Sequence, residues 1–179
     1  HLKEQIAKGS SEIDKKQQQY HREKSRLESL VNITERYDGY GNSIRKIMEL
    51  KEQRPGILGV IADIVKVEKQ YETAIETALG GTIQNIVTDN ENTAKDLIAY
   101  LKQNRFGRAT FLPLSAIQVR NTLEGEPCMK EKGVIGAASD LVRVSFEYEK
   151  LAKYLLGRIL VVDNIDNALA IARKYRHSL

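Results

Sequence analysis

The sequence predicts an α/β fold with mixed sheets: two copies of one α/β unit, preceded by a long coiled-coil helix. Three observations carry this. Residues 1–37 hold no proline and repeat their apolar positions in heptad phase. From residue 57 onward, β-rich runs alternate with helical apolar stripes. The marker positions Asp63-Ile64-Val65-Lys66-Val67, Tyr71-Glu72 and Ala78-Leu79-Gly80 then recur, identical or alike, at one constant offset of 77.

The heptad segment comes first. Leu2, Ile6, Ile13, Tyr20, Leu27 and Leu30, continued at Tyr37, mark a coiled-coil seam, with Gly9, Lys16, Glu23 and Thr34 in the remaining seam positions. So polar a stripe cannot fold alone, and a helix of this length reaches roughly 50 Å. It reads as one arm in need of a partner. Residues 38–56 form a joint, Asp38-Gly39-Tyr40-Gly41, and a short helix. Asn42 or Ser43 is placed to cap that helix, Ile44, Ile47 and Met48 form its apolar face, and Pro55-Gly56 should end it.

The first unit is expected over 57–113. Its elements are a strand through Ile64-Val65-Lys66-Val67 and a helix with Tyr71, Ala74, Ile75, Ala78 and Leu79 on one face, ended by Gly80. A strand from Ile83 to Val87 follows, then a helix capped by Asp89 or Asn90 that carries Ala94, Leu97, Ile98 and Leu101. A last strand, Ala109 to Leu112, stops at Pro113. Residues 114–133 read as a polar linker. The second unit, 134–179, repeats Asp63 as Asp140, Tyr71 as Tyr148 and Gly80 as Gly157. After a three-residue difference in loop length, Val161-Val162-Asp163-Asn164 answers Val87-Thr88-Asp89-Asn90. Its closing strand is absent, so the chain reads as an excised piece whose second unit is C-terminally incomplete. It is expected to dimerise less securely than a longer form.

Several chemistries are missing from the sequence. No phosphate-cradling glycine loop, nucleophile elbow or paired-histidine zinc motif occurs, and the histidines are His1, His21 and His177 only. Capping explains Asp89 and Asp163 better than catalysis does. No enzyme activity, cofactor or metal is expected, and the lone Cys128 suits a reducing compartment. No apolar run approaches the roughly 18 residues of a membrane span, so no membrane partner is expected. The net charge of +4 is compatible with nucleic acid. Between Asp96 and Glu124 there is no carboxylate, while Lys102, Arg105, Arg108 and Arg120 supply cations. Lys66 and Arg143, each in an otherwise apolar run, are secondary candidates for non-specific DNA contact.

Gly39-Tyr40-Gly41, Gly59-Val60-Ile61-Ala62-Asp63, the run Tyr71–Gly81 and Phe106-Gly107-Arg108-Ala109-Thr110-Phe111-Leu112-Pro113-Leu114 together resemble the hinge of bacterial SMC (structural maintenance of chromosomes) proteins. Gly157-Arg158-Ile159-Leu160-Val161-Val162-Asp163 resembles that family's second half. The resemblance implies a homodimer with a second SMC hinge, a returning coiled-coil arm, and distant heads that use ATP and Mg and meet kleisin-type subunits. It implies a chromosome condensation and partition role in the cytoplasm, at the nucleoid. It also places Phe106, Gly107, Arg108, Ala109, Thr110, Phe111 and Leu112 near the dimer contact, although the same segment reads equally as an interior strand. Another class of function fits the duplication too: a small-molecule-sensing α/β domain that binds between its repeats and signals through a coiled coil.

Overall fold

The computed structural model describes residues 2–36 and 40–175. Helix α1 spans Leu2–Arg36 without interruption. Helix α2, Asn42–Met48, packs Ile44, Ile47 and Met48 into a core. Strand β1 (Ile57–Val60), the one-turn helix α3 (Ile61–Ile64) and strand β2 (Lys66–Val67) follow, then α4 (Glu72–Leu79), β3 (Ile86–Thr88), α5 (Glu91–Gln103) and β4 (Phe111–Pro113). The second copy gives β5 (Val134–Ala137), β6 (Val142–Arg143), α6 (Glu149–Leu156), β7 (Leu160–Val162) and α7 (Ile165–Lys174).

The duplication holds at the level of single hydrogen bonds. β1 pairs antiparallel with β3 through Ile57↔Thr88, Gly59↔Val87 and Val60↔Ile86, with a bulge between Ile57 and Gly59. β5 pairs with β7 through Val134↔Val162, Gly136↔Val161 and Ala137↔Leu160, with the same bulge. Asp89 N–H donates to Gly56 O in one copy, and Asp163 N–H to Gly133 O in the other. Asn90 and Asn164 cap α5 and α7 by accepting from the backbone N–H of Thr93 and Asn167. Asp89 instead accepts from the N–H of Asn90. Tyr71 and Tyr148 each close a 3-10 turn ahead of α4 and α6.

The two copies meet face to face. β2 and β6 pair antiparallel, with Lys66 opposite Arg143 and Val67 opposite Val142. Because these strands are copies of each other, the pairing is its own image when the copies are exchanged, so a local twofold passes between Lys66 and Arg143. Around it lies one shared core: Ile61, Val65, Ile75, Leu79 and Val87 from the first copy, Ala138, Leu151, Leu156 and Val161 from the second. The outer face of the first sheet is closed by α2 and α5, through Ile47, Met48, Leu97 and Leu101 against Ile57, Val60 and Ile86. The outer face of the second is closed by α7 and the linker, through Ile171, Leu123 and Cys128.

Several expectations are corrected. Ile64 and Val65 precede strand β2, because the chain leaves the sheet as a helical turn at Ile61–Ile64. Likewise Leu141 ends a 3-10 turn and Val144 lies past β6. Strands β1 and β5 were not expected, since Gly59 and Gly136 sit at their bulges and interrupt the strand pattern. Ile83 falls in a 3-10 turn (Gly80–Gln84), not in β3. Ile98 faces outward, being 52% exposed. α2 stops at Met48, well before Pro55, and neither Asn42 nor Ser43 caps it. Pro113 is the last residue of β4, not a stop beyond it, as an edge strand allows. The 114–133 segment is no mere polar linker, since it buries Leu123 and Cys128 in the core of the second copy.

Candidate dimerisation and nucleic-acid surfaces

The middle of the α1 seam faces solvent. Ile13, Tyr20 and Leu27, each one heptad apart, are 58%, 63% and 62% exposed, and Leu30 is half-buried. Leu2 and Ile6 lie in the same helix, while Tyr37 falls outside the described residues. Val31, which the heptad reading left out, is also exposed. Such a row on one helix is a surface for a second helix.

The Phe106–Leu112 segment leaves α5 through a tight C-terminal turn. Phe106 N–H donates to Leu101 O and Arg105 N–H to Lys102 O, with Arg105 left-handed at φ 54°. This is a Schellman motif, whose left-handed position usually holds glycine. Phe106 then folds back onto the first outer core, 5.7 Å from the Tyr100 ring and beneath the Lys46 ammonium. Two side chains of α2 hold the next turn. The buried Ser43 hydroxyl donates to Arg108 O at 2.6 Å, and Asn42 Nδ2 to Phe106 O at 3.5 Å. Helix α2 thus braces this segment instead of capping itself, a role that its sequence did not signal. Ile86 N–H donates to Thr110 O, and β4 lies parallel to β3 with Phe111 opposite Ile86 and Leu112 opposite Val87. Phe111 packs into the first outer core and Leu112 into the shared one, as strand alternation demands. Gly107, Arg108 and Thr110 are exposed, Ala109 half-buried. In the strand order β1-β3-β4, the far side of β4 is a sheet edge. The segment is therefore both things the sequence allowed: side chains anchored inside, backbone at the rim. Ser115 continues it and donates from its hydroxyl to Glu91, which holds that carboxyl below the usual carboxylate range.

The basic candidates fall in two places. Lys102, Arg105 and Arg108 are exposed around the C-terminal end of α5, and Arg120 is exposed in the segment that follows β4. Lys66 and Arg143 stand opposite each other at the junction of the copies, with Arg143 ion-paired to Glu68. On α2, Lys46 is a further cation of this surface, paired with Glu49 at 2.9 Å. Among the described residues, no three His, Cys, Asp or Glu side chains gather as a metal site. No described helix is long and apolar enough to cross a membrane.

Comparison with known proteins gives one answer. The family described as SMC proteins Flexible Hinge Domain matches residues 54–172. The Chromosome partition protein Smc of Lactiplantibacillus plantarum is 38% identical over 181 residues, covering 96% of this chain and 15% of that protein. The Bacillus subtilis protein of the same name is 34% identical, covering 98% of this chain and 15% of its own length. The chain therefore spans about 15% of the relatives it matches. Among solved structures, an asymmetric dimer of the Geobacillus stearothermophilus SMC hinge domain superposes with a TM-score of 0.74 at 35% identity, over 89% of this chain and 66% of that one. The Pyrococcus furiosus SMC hinge domain gives 0.61 at 32% identity, over 80% and 75%.

Proposed function

This chain belongs to the SMC flexible-hinge family, and from that premise we propose that it joins two SMC subunits by pairing with a second hinge. The carrying observation is the rim strand β4, whose side chains are fixed in two cores while, among the described residues, its outer edge has no strand beside it. An edge of this kind is a template for another chain. Phe106, Gly107, Arg108, Ala109, Thr110, Phe111 and Leu112 are the contact segment in this reading. In the whole protein, the heptad row of α1 packs against the returning arm. ATP and Mg bind at the distant heads, kleisin-type subunits join there, and the assembly works on chromosomes at the nucleoid.

Non-specific DNA contact is the second part of the proposal. It uses Lys102, Arg105 and Arg108, with Arg120, Lys66 and Arg143 as flanking cations. Its support is that all six are exposed and that Arg105 occupies a left-handed position that glycine would fill at less cost. Changing Arg105 and Arg108 together to Glu should abolish a low-salt gel shift, and the wild-type shift should fade steeply with salt. Binding unchanged by that double substitution removes this patch. Thr110→Lys tests the pairing: the side chain is exposed and the backbone bond to Ile86 remains, so the fold should survive while a charged rim resists a second strand.

A further inference from the structure

Strand β4 is only three residues long, and its last residue is a proline. Very short strands and prolines are means by which a sheet edge is kept from pairing. On its own, then, β4 is a poor template for a second chain. The residues before it alter that. Thr110 O accepts from the Ile86 N–H of β3, and two residues earlier Arg108 O accepts from the Ser43 hydroxyl at 2.6 Å. Both carbonyls thus turn to the interior side. In an extended chain, successive residues direct their N–H and C=O groups to opposite sides. The groups of Ala109 and Phe111 therefore face the rim, and among the described residues neither backbone group of Ala109 is hydrogen-bonded.

Ser43 stands where a neighbouring strand would have to be. β3 starts at Ile86, opposite Phe111, and just before it Asn85 is bonded elsewhere, its N–H to Thr82 O and its O from Ile61 N–H. The first turn of α2 reaches Arg108 instead. Ser43 is 6% exposed and lies against Gly107, whose Cβ, if it had one, would stand 3.8 Å from that of Ser43. The same helix packs Ile44, Ile47 and Met48 in the cluster that receives Phe106, Ala109 and Phe111. We infer that Ser43 is a positioning residue for the dimer contact. Through Arg108 O it lengthens the ordered rim from the three residues of β4 to residues 108–113, the length of an ordinary strand. This rests on the reading of β4 as the contact, and adds that α2 orders the edge before a second copy arrives. An edge already ordered loses less conformational freedom on pairing, so the Ser43 hydroxyl contributes to affinity as well as to the fold.

The test is sedimentation equilibrium on the whole chain, with melting curves of the same variants. Ser43→Ala leaves Arg108 O without its donor and should raise the dimer Kd about tenfold, as one unmade hydrogen bond does. Asn42→Ala, at an exposed position with a long 3.5 Å bond to Phe106 O, should raise it only about twofold. Ile75→Val instead trims the shared core, and should lower the melting temperature while leaving the Kd unchanged. That contrast separates positioning from a general loss of stability. A dimer that Thr110→Lys abolishes but that is as tight in Ser43→Ala as in wild type overturns the inference alone. So does a Kd raised equally by Ile75→Val. A wild-type chain that forms no dimer overturns the reading of β4, and the inference falls with it.

Discussion

The first and second copies of the unit share their strand registers, bulges and helix caps, yet their surfaces have parted. Position for position, Phe146 (87% exposed) stands where the first copy has Lys69, and Ile165 (70% exposed) where it has Glu91. Leu169 replaces Lys95 in the same way. Their sheets differ as well: the first has three strands, the second two among the described residues. The outer face of the first copy is closed by a helix that belongs to the arm side, that of the second by turns of the linker. What is held in common is what the backbone and the shared core require. What differs is what each face meets.

That comparison breaks most severely in the core. Leu79 and Leu156 are repeat partners buried in the same cluster, at 6% and 0% exposure. Truncating either to Ala should cost about 2–5 kcal/mol, with Leu156→Ala the larger. Because the cluster is common to both copies, each variant should unfold in one transition, with the whole curve displaced. Two separated transitions in chemical denaturation would mean that the copies are independent units joined only in sequence.

A second probe separates the copies at one backbone position. Gly56 and Gly133 lie against the N-terminal turns of α5 and α7, but only Gly133 has a left-handed φ, 85°. A Cβ there would stand 2.4 Å from an Asp163 oxygen and 2.2 Å from an Asn167 nitrogen, against 2.8 Å to Asp89 and Thr93 at Gly56. Gly133→Ala should therefore destabilise by about 1–3 kcal/mol, and Gly56→Ala by visibly less in the same melting experiment. Equal losses would contradict the assigned backbone.

The duplication was legible because its markers are forced by local physics: Gly80 and Gly157 follow short amphipathic helices, and Asn90 and Asn164 cap the next ones. Helix phase was legible for Ala94, Leu97 and Leu101, which are buried, and misleading for Ile98. The strands were harder. β2 and β6 are two residues each, and they exist only because each finds its own copy as partner, a long-range fact that no window of sequence contains. Glycines at the bulges hid β1 and β5. At the candidate contact, Phe106–Leu112 was found by resemblance, whereas its brace was not. Ser43 looks like a helix cap in sequence, and only the fold brings it to Arg108 O.

A smaller effect belongs to the second copy alone. Glu131 in the linker accepts hydrogen bonds from Lys174 at 2.6 Å and Tyr175 at 2.7 Å, tying the linker to the end of α7. The Lys174 bond, then that of Tyr175, holds the Glu131 carboxyl below its usual range. A depressed carboxylate contributes stability above its unfolded pKa and loses it as the pH falls through the folded one. The melting difference between wild type and Glu131→Gln should be present at neutral pH and close as the solution is acidified below the carboxylate range. A difference that persists unchanged into acid would assign the effect to something other than this carboxylate.

The central claim, that the rim strand of the first copy joins two chains, is tested most directly by the mass of the particle in solution. Light scattering over a range of concentrations should show the wild-type chain passing from its 20.2 kDa monomer to a dimer. Thr110→Lys should hold it at the monomer mass. Ile13→Lys with Leu27→Lys, which blocks the heptad row, should leave the dimer in place. A wild-type chain that stays monomeric throughout, or a dimer lost with the heptad substitutions and indifferent to Thr110→Lys, would contradict the assignment of the contact to β4.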